Sequence, residues 1–177
     1  LEKANTAPAA AADRPSILTP QTTFNSIMNL DFNKTYTLNR DDTLQVALTV
    51  LSHARDLNPL NTDHSANLAR LYRRWSDLES TPQAKRDRLS AASEYYRQAT
   101  TLSPQNAQLW NEWATVNLSL HDVDLQLNND QGAADLQKAQ ELLDHSLTID
   151  SQYNQTYIIR GQLDRFFQVF PRAQILI

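Results

Sequence analysis

Ala92-Ser93-Glu94-Tyr95-Tyr96-Arg97-Gln98-Ala99-Thr100-Thr101-Leu102-Ser103-Pro104 carries the pattern that decides the fold. Its skeleton is Ala92-x3-Tyr96-x2-Ala99-x4-Pro104. Steps of four and three residues return side chains to one helical face. Small side chains at two of these positions let a neighbouring helix approach closely, and the ring between them fills the gap. Proline then ends the helix, because it lacks an amide hydrogen and clashes with the preceding turn. The spacing recurs upstream as Ala47-x3-Leu51-x2-Ala54-x4-Pro59 and downstream as Ala139-x3-Leu143-x2-Ser146-x4-Ser151.

Each stop is followed by a second amphipathic segment. The first carries Leu68, Leu71, Tyr72 and Trp75 on one face, and the second Leu109, Trp110, Trp113, Val116 and Leu120. The third has a weaker stripe of Tyr157, Gly161, Asp164 and Phe167. Asn61, Thr62 and Asp63 suit the start of the first of these helices, and Asn106 suits the second, because a side-chain oxygen there accepts from a free first-turn amide. Ser80-Thr81-Pro82 reads as a cap followed by proline at the first helical position. The spacing predicts helices over 43–57, 63–78, 82–102, 106–120, 132–149 and 153–168, with Asp130 as a candidate start for the fifth.

The chain resembles the tetratricopeptide repeat (TPR) across residues 43–168. That signature is a helix with Trp-x2-Leu-Gly-x2-Tyr followed by a helix with Ala-x3-Phe-x2-Ala and a closing Pro. The second-helix part is matched by the three segments above. The first-helix part is matched by Leu68-Ala69-x2-Tyr72, Trp110-x2-Trp113-Ala114-x2-Asn117 and Tyr157-x3-Gly161. The resemblance implies an all-α antiparallel helix-pair solenoid. The period departs from it: Pro59 and Pro104 are 45 positions apart and Ala92 and Ala139 are 47, against about 34 in the family. The excess falls inside each repeat, near Ser76–Arg88 and Ser119–Gly132, so lengthened connections are expected there. A second resemblance, in Asn58 to Tyr72 and Leu102 to Ala114, is to the repeat tails of bacterial O-antigen polymerase- and ligase-type membrane proteins.

Composition excludes several functions. Two glycines, Gly132 and Gly161, cannot build a Gly-rich phosphate loop. The absence of cysteine rules out disulfides, thiolate nucleophiles and Cys-based zinc sites. A net charge of −4 disfavours nucleic-acid binding. No run approaches the ~18 apolar residues of a membrane span, so this segment is not expected to cross a bilayer, although it is compatible with belonging to a longer membrane protein. Residues 1–20, Ala- and Pro-rich without an apolar signal core, read as a linker, residues 21–170 as the repeat domain and 171–177 as an apolar tail.

The candidate chemistry is sparse. His53, His64, His121 and His145 form no HExxH or comparable ligand spacing, and helix-surface positions explain His53, His64 and His145 better than catalysis. His121–Asp130 resembles a calcium loop, but Leu127 or Ala133 stands where that loop needs glycine. A solvated loop is the better reading. Trp75, Trp110 and Trp113 have helical spacing and suit core packing more than a sugar platform. Arg70, Arg73 and Arg74 avoid the apolar stripe of their helix, and the resemblance places such residues along a concave groove. There an arginine can hold a carboxylate or phosphate through two parallel bonds. A solvated face paired with Asp63, Asp77 and Glu79 is the alternative. Gln108, Asn111 and Arg165 complete the candidate groove set. The family's best-known ligand clamp is not matched, since Ala66, Glu112 and Gln155 fall at its positions.

The sequence is therefore expected to encode a non-enzymatic module that binds a protein or peptide, with no cofactor or metal. The alternative is the extracytoplasmic tail of a polysaccharide-assembly membrane protein. Phe166, Phe167, Val169 and Phe170, with Ile175-Leu176-Ile177, leave an apolar end that the tail, a second copy or further chain must cover.

Overall fold

In the computed structural model, which describes residues 39–169, the chain is all-helical. Six helices follow one another: α1 (Arg40–Leu57), α2 (Thr62–Ser76), α3 (Pro82–Leu102), α4 (Ala107–Leu127), α5 (Gly132–Ile149) and α6 (Asn154–Val169). Connections of a few residues make neighbours antiparallel. The expected linker over 1–20, the tail over 171–177 and Phe170 lie outside the described residues.

Helix starts are set by short polar side chains. Asn39 accepts from Asp42 N at 2.9 Å, Asn61 from Asp63 N at 3.0 Å, Thr81 from Ala84 N at 3.2 Å and Asn106 from Gln108 N at 3.1 Å. Each satisfies an amide that has no partner inside its helix. Pro82 stands in the first turn of α3, as expected. The Asn39 cap lets α1 begin three residues before the predicted start.

The packing follows the repeat spacing closely in its two later copies. Ala92, Tyr96, Ala99, Ala139, Leu143 and Ser146 have no exposed surface. In the first copy Ala47, Leu51 and Ala54 are only half-buried, and Leu44 is the buried side chain of α1. A single apolar cluster runs from Ala69 on α2 to Phe167 on α6. Alternate helices also meet: Arg55 of α1 donates to Tyr95 Oη of α3 at 3.1 Å, Arg70 of α2 reaches Glu112 of α4, and Asn111 of α4 reaches Thr156 of α6. Contacts between both adjacent and alternate helices give a solenoid-like stack of helix pairs.

Three expectations need correction. Residues 121–130 are not a solvated loop: α4 continues to Leu127, and His121, Val123 and Asp124 are buried. The extra residues of the repeat are thus taken up mainly as helix. Val123 and Leu127 keep an apolar spacing that prolongs the buried face. Asp130 does not cap α5. The chain leaves α4 through Asn128 in the left-handed region (φ 52°), Asn129 Oδ1 accepts from Gln131 N at 3.2 Å, and α5 begins at Gly132. Of the stripe predicted on α6 only Phe167 faces inward, joined by Thr156, Ile159 and Leu163, while Tyr157 and Ile158 are more than half exposed and Gly161 and Asp164 are exposed. Ile159, Leu163 and Phe167 recur every fourth residue and bury more apolar area than the predicted set, which included Gly161 and Asp164.

Candidate binding groove

The helices α2, α4 and α6 line one side of the stack, and a groove runs along it. Its first part, about 470 Å³, is lined by Arg73 of α2, by Gln108, Asn111, Glu112 and Thr115 of α4, and by Tyr153, Gln155, Ile159 and Gln162 from the α6 side. Its second part, about 440 Å³, shares Thr115 and Gln162 and adds Leu118, Ser119, Asp122, Arg165 and Phe166. Gln108 to Asp122 spans about 21 Å of helix, the length of roughly six residues of extended chain.

The structure separates the six predicted groove residues. Arg73, Gln108 and Asn111 come together in the first part and Arg165 lies in the second. Arg74 lines neither: it is largely exposed and pairs with Asp77 at 3.6 Å. Arg70 is engaged internally. Its Nε and Nη2 donate to Glu112 Oε2 and Oε1 at 2.9 and 3.1 Å, and its Nη1 donates to Asn67 Oδ1 at 3.1 Å. The bidentate geometry foreseen for an external carboxylate is used on an internal one. The expected partners redistribute as well: Arg74 has Asp77, while Glu79 takes Arg88 at 2.9 Å.

Glu112 organises this region. Besides Arg70 it accepts from Tyr96 Oη at 3.0 Å and from Gln108 Nε2 at 2.7 Å. These bonds hold Arg70 more firmly charged, and burial beside Glu112 pushes the Tyr96 phenol up. Deeper in the wall, Asn111 Nδ2 donates to Thr156 Oγ1 at 2.8 Å, Thr156 meets Ser146 Oγ at 3.1 Å, and Ser146 donates to Ala107 O at 3.3 Å. This chain ties α4, α5 and α6 behind the groove. It leaves Asn111 Oδ1 buried without a donor. Arg73 and Arg165 have no ion-pair partner among the described residues.

The groove therefore offers two guanidinium groups without an ion-pair partner among the described residues, one in each part. Beside them lie the side-chain amides of Gln108, Gln155 and Gln162 and an apolar floor at Ile159, Leu118 and Phe166. Thr115, Tyr153, Gln162 and Phe166 were not foreseen. A signal existed: Gln108, Asn111, Thr115, Ser119 and Asp122 recur at three- and four-residue steps and mark a second, polar stripe on α4. The tryptophans belong to packing. Trp75 and Trp113 are buried, Arg88 lies 3.9 Å over the Trp75 ring, and Trp110 stacks on Trp113 and meets His145 edge-on. Among the described residues no group of three or more His, Asp or Glu is placed to hold a metal, and no helix is long and apolar enough to cross a membrane. In comparisons with known proteins, neither a family model nor a curated protein matches the chain.

Proposed function

We propose that the chain is a non-catalytic, TPR-like binding module whose α2–α4–α6 groove takes an extended, acidic protein segment. The observation that carries this reading is the convergence of Arg73, Gln108 and Gln155 from three helices onto one hollow, with no ion-pair partner for Arg73 among the described residues. An extended peptide supplies the complements, a carboxylate for Arg73 and backbone N–H and C=O groups for the exposed amides of Gln108 and Gln155. A second carboxylate further along the segment reaches Arg165, which lines the second part of the groove. Arginine in such a setting favours planar two-oxygen ligands.

Selection from a displayed random peptide library tests this. Enriched peptides are expected to be acidic and to lose at least about tenfold in affinity on Arg73→Ala or Gln155→Ala, with binding that weakens as salt rises. Equal affinity for wild type and both variants would overturn the reading. The amide-rich wall favours a second reading, the soluble tail of an O-antigen polymerase- or ligase-like membrane protein involved in polysaccharide assembly, because amides and phenols also suit sugar hydroxyls. Saturable binding of acid-free oligosaccharides, with no peptide enriched, would select that reading instead.

A further inference from the structure

Where α4 turns into α5, two acidic side chains meet, Asp124 fully buried and Asp135 half-buried with its Oδ2 covered. Asp124, in the last turns of α4, has no exposed surface. Its Oδ1 accepts from Arg86 Nε of α3 at 2.6 Å and from Asn129 Nδ2 at 3.1 Å. Its Oδ2 is buried with no donor, and so is Oδ2 of Asp135 in the first turn of α5. The two carboxyl groups are close enough to hydrogen-bond to each other. Arg86 also binds Gln131 Oε1 in the connection between the helices. One cation thus faces two carboxyl groups, and its short bond goes to Asp124.

Two carboxylates cannot both be ionised at contact in a site largely closed to water. Repulsion and the lost hydration of the second charge oppose it, and a proton held between the facing oxygens removes both costs. A proton carried by one carboxyl group also gives the other a donor, where each now has an Oδ2 without one. Other charged and titratable groups surround the pair. Asp87 on α3 acts on Arg86 with further negative charge. His121 of α4 points Nδ1 at Gly132 O, 2.8 Å away, and sets its ring against Phe166 of α6. Lys138 of α5 lies over the Trp113 ring.

We propose that Asp124 and Asp135 share one proton, forming a clasp that fastens the α4–α5 hairpin to α3 and loosens when the proton leaves. Burial, followed by the contact with Asp124, raises the Asp135 carboxyl to about 7, so the clasp opens within the neutral range. The sign follows from linkage. An acid whose folded pKa is raised stabilises the fold fully below the ordinary carboxylate range. That contribution falls as pH rises and is gone above about 7. Ser119 and Asp122, on the next turns of α4, line the second part of the groove. An open clasp therefore shifts that wall, a consequence that rests on the binding reading above, whereas the clasp itself does not.

Asp135→Asn mimics the protonated state, because its amide donates permanently to Asp124. The test compares melting temperatures of wild type and Asp135→Asn from pH 3.5 to 8.5, together with the carboxyl carbon shift of Asp135 in the wild-type protein. The variant is expected to match wild type at pH 3.5, to melt progressively higher than wild type as pH rises toward 7, and to stay higher by several degrees at pH 8. The Asp135 carboxyl is expected to titrate near 7. A melting difference that does not change with pH, or an Asp135 carboxyl titrating in the ordinary range near 4, would overturn the proposal. Both readouts are independent of any ligand, so they stand or fall apart from the groove.

Discussion

At the residue scale, Glu112 shows why a surface-looking charge need not be a surface feature. It sits among polar positions of α4, yet it accepts from Arg70, Tyr96 and Gln108 together. The Tyr96 ring is fully buried, so its hydroxyl has no water to turn to when Glu112 is removed. Arg70 is about two-fifths exposed and rehydrates. Glu112→Ala is therefore expected to cost about 1–3 kcal/mol, the penalty of an orphaned buried donor, while Arg70→Ala costs less than about 1 kcal/mol, as exposed pairs do. Urea denaturation of both variants checks the order, and equal losses would mean that the ion pair rather than the Tyr96 bond sets the energy. Ala99 is legible in the opposite sense. The repeat spacing marks it as a close-approach position, and it is fully buried in the structure. Ala99→Leu is expected to lower stability by about 1–3 kcal/mol through overpacking, and an unchanged melting temperature would show slack in the α2–α3–α4 seam. The spacing expects Arg70 in the groove, whereas the structure commits it internally. Its partner lies 42 positions away, and no local spacing reports a contact between alternate helices.

At the scale of elements, the starts of α2, α3 and α4 were readable, while the caps of α1 and α5 and some helix ends were not. A cap is a local device: Asn61, Thr81 and Asn106 each bond an amide two or three residues on, so the sequence displays the whole interaction. Thr81→Ala is expected to cost about 1 kcal/mol, read as a lower melting temperature with the helical spectrum unchanged. The end of α4 depends on tertiary burial instead. His121, Asp122 and Asp124 suggest a polar loop by composition, but the helix continues because His121 and Asp124 find partners on other elements, Gly132 O and Arg86. Gly132 makes this closure possible, since a Cβ there would stand 3.0 Å from His121 Nδ1. The turn that follows uses Asn128 at positive φ, where asparagine is tolerated and branched side chains are strained. Asn128→Gly should leave stability near the wild-type value, whereas Asn128→Val should lower it by roughly 1–2 kcal/mol. If valine were as well tolerated as glycine, the left-handed turn would not be what terminates α4. The phase error on α6 has a similar origin. Tyr157 looked like an inward aromatic, but its hydroxyl donates to Ser151 O at 2.8 Å and anchors the ring outside.

At the scale of the whole molecule, stability is expected to be uneven along the stack. The pairs α2–α3 and α4–α5 pack most extensively and α3–α4 joins them, while α1 and α6 are held more lightly. The main apolar cluster draws on α2 to α6 and none of its buried members come from α1. Instead, α1 contributes Leu44 and the polar contact of Arg55 with Tyr95. In a stack whose units touch mainly their neighbours, energy is the sum of unit and interface terms, so a weak interface opens without the rest. Amide hydrogen exchange resolves this. In the wild type, amides of α3, α4 and α5 should exchange only through global unfolding and those of α1 through a smaller, local opening. Two truncations then separate local from global. Leu143 on α5 is fully buried and Leu44 on α1 nearly so. Leu143→Ala should cost about 2–5 kcal/mol and speed exchange throughout the slowest set, because it weakens the unit through which that set unfolds. Leu44→Ala should speed exchange in α1 while leaving α4 and α5 at their wild-type rates. Uniform acceleration in both variants would mean that the six helices unfold as one block, and the additive description of the stack would be wrong.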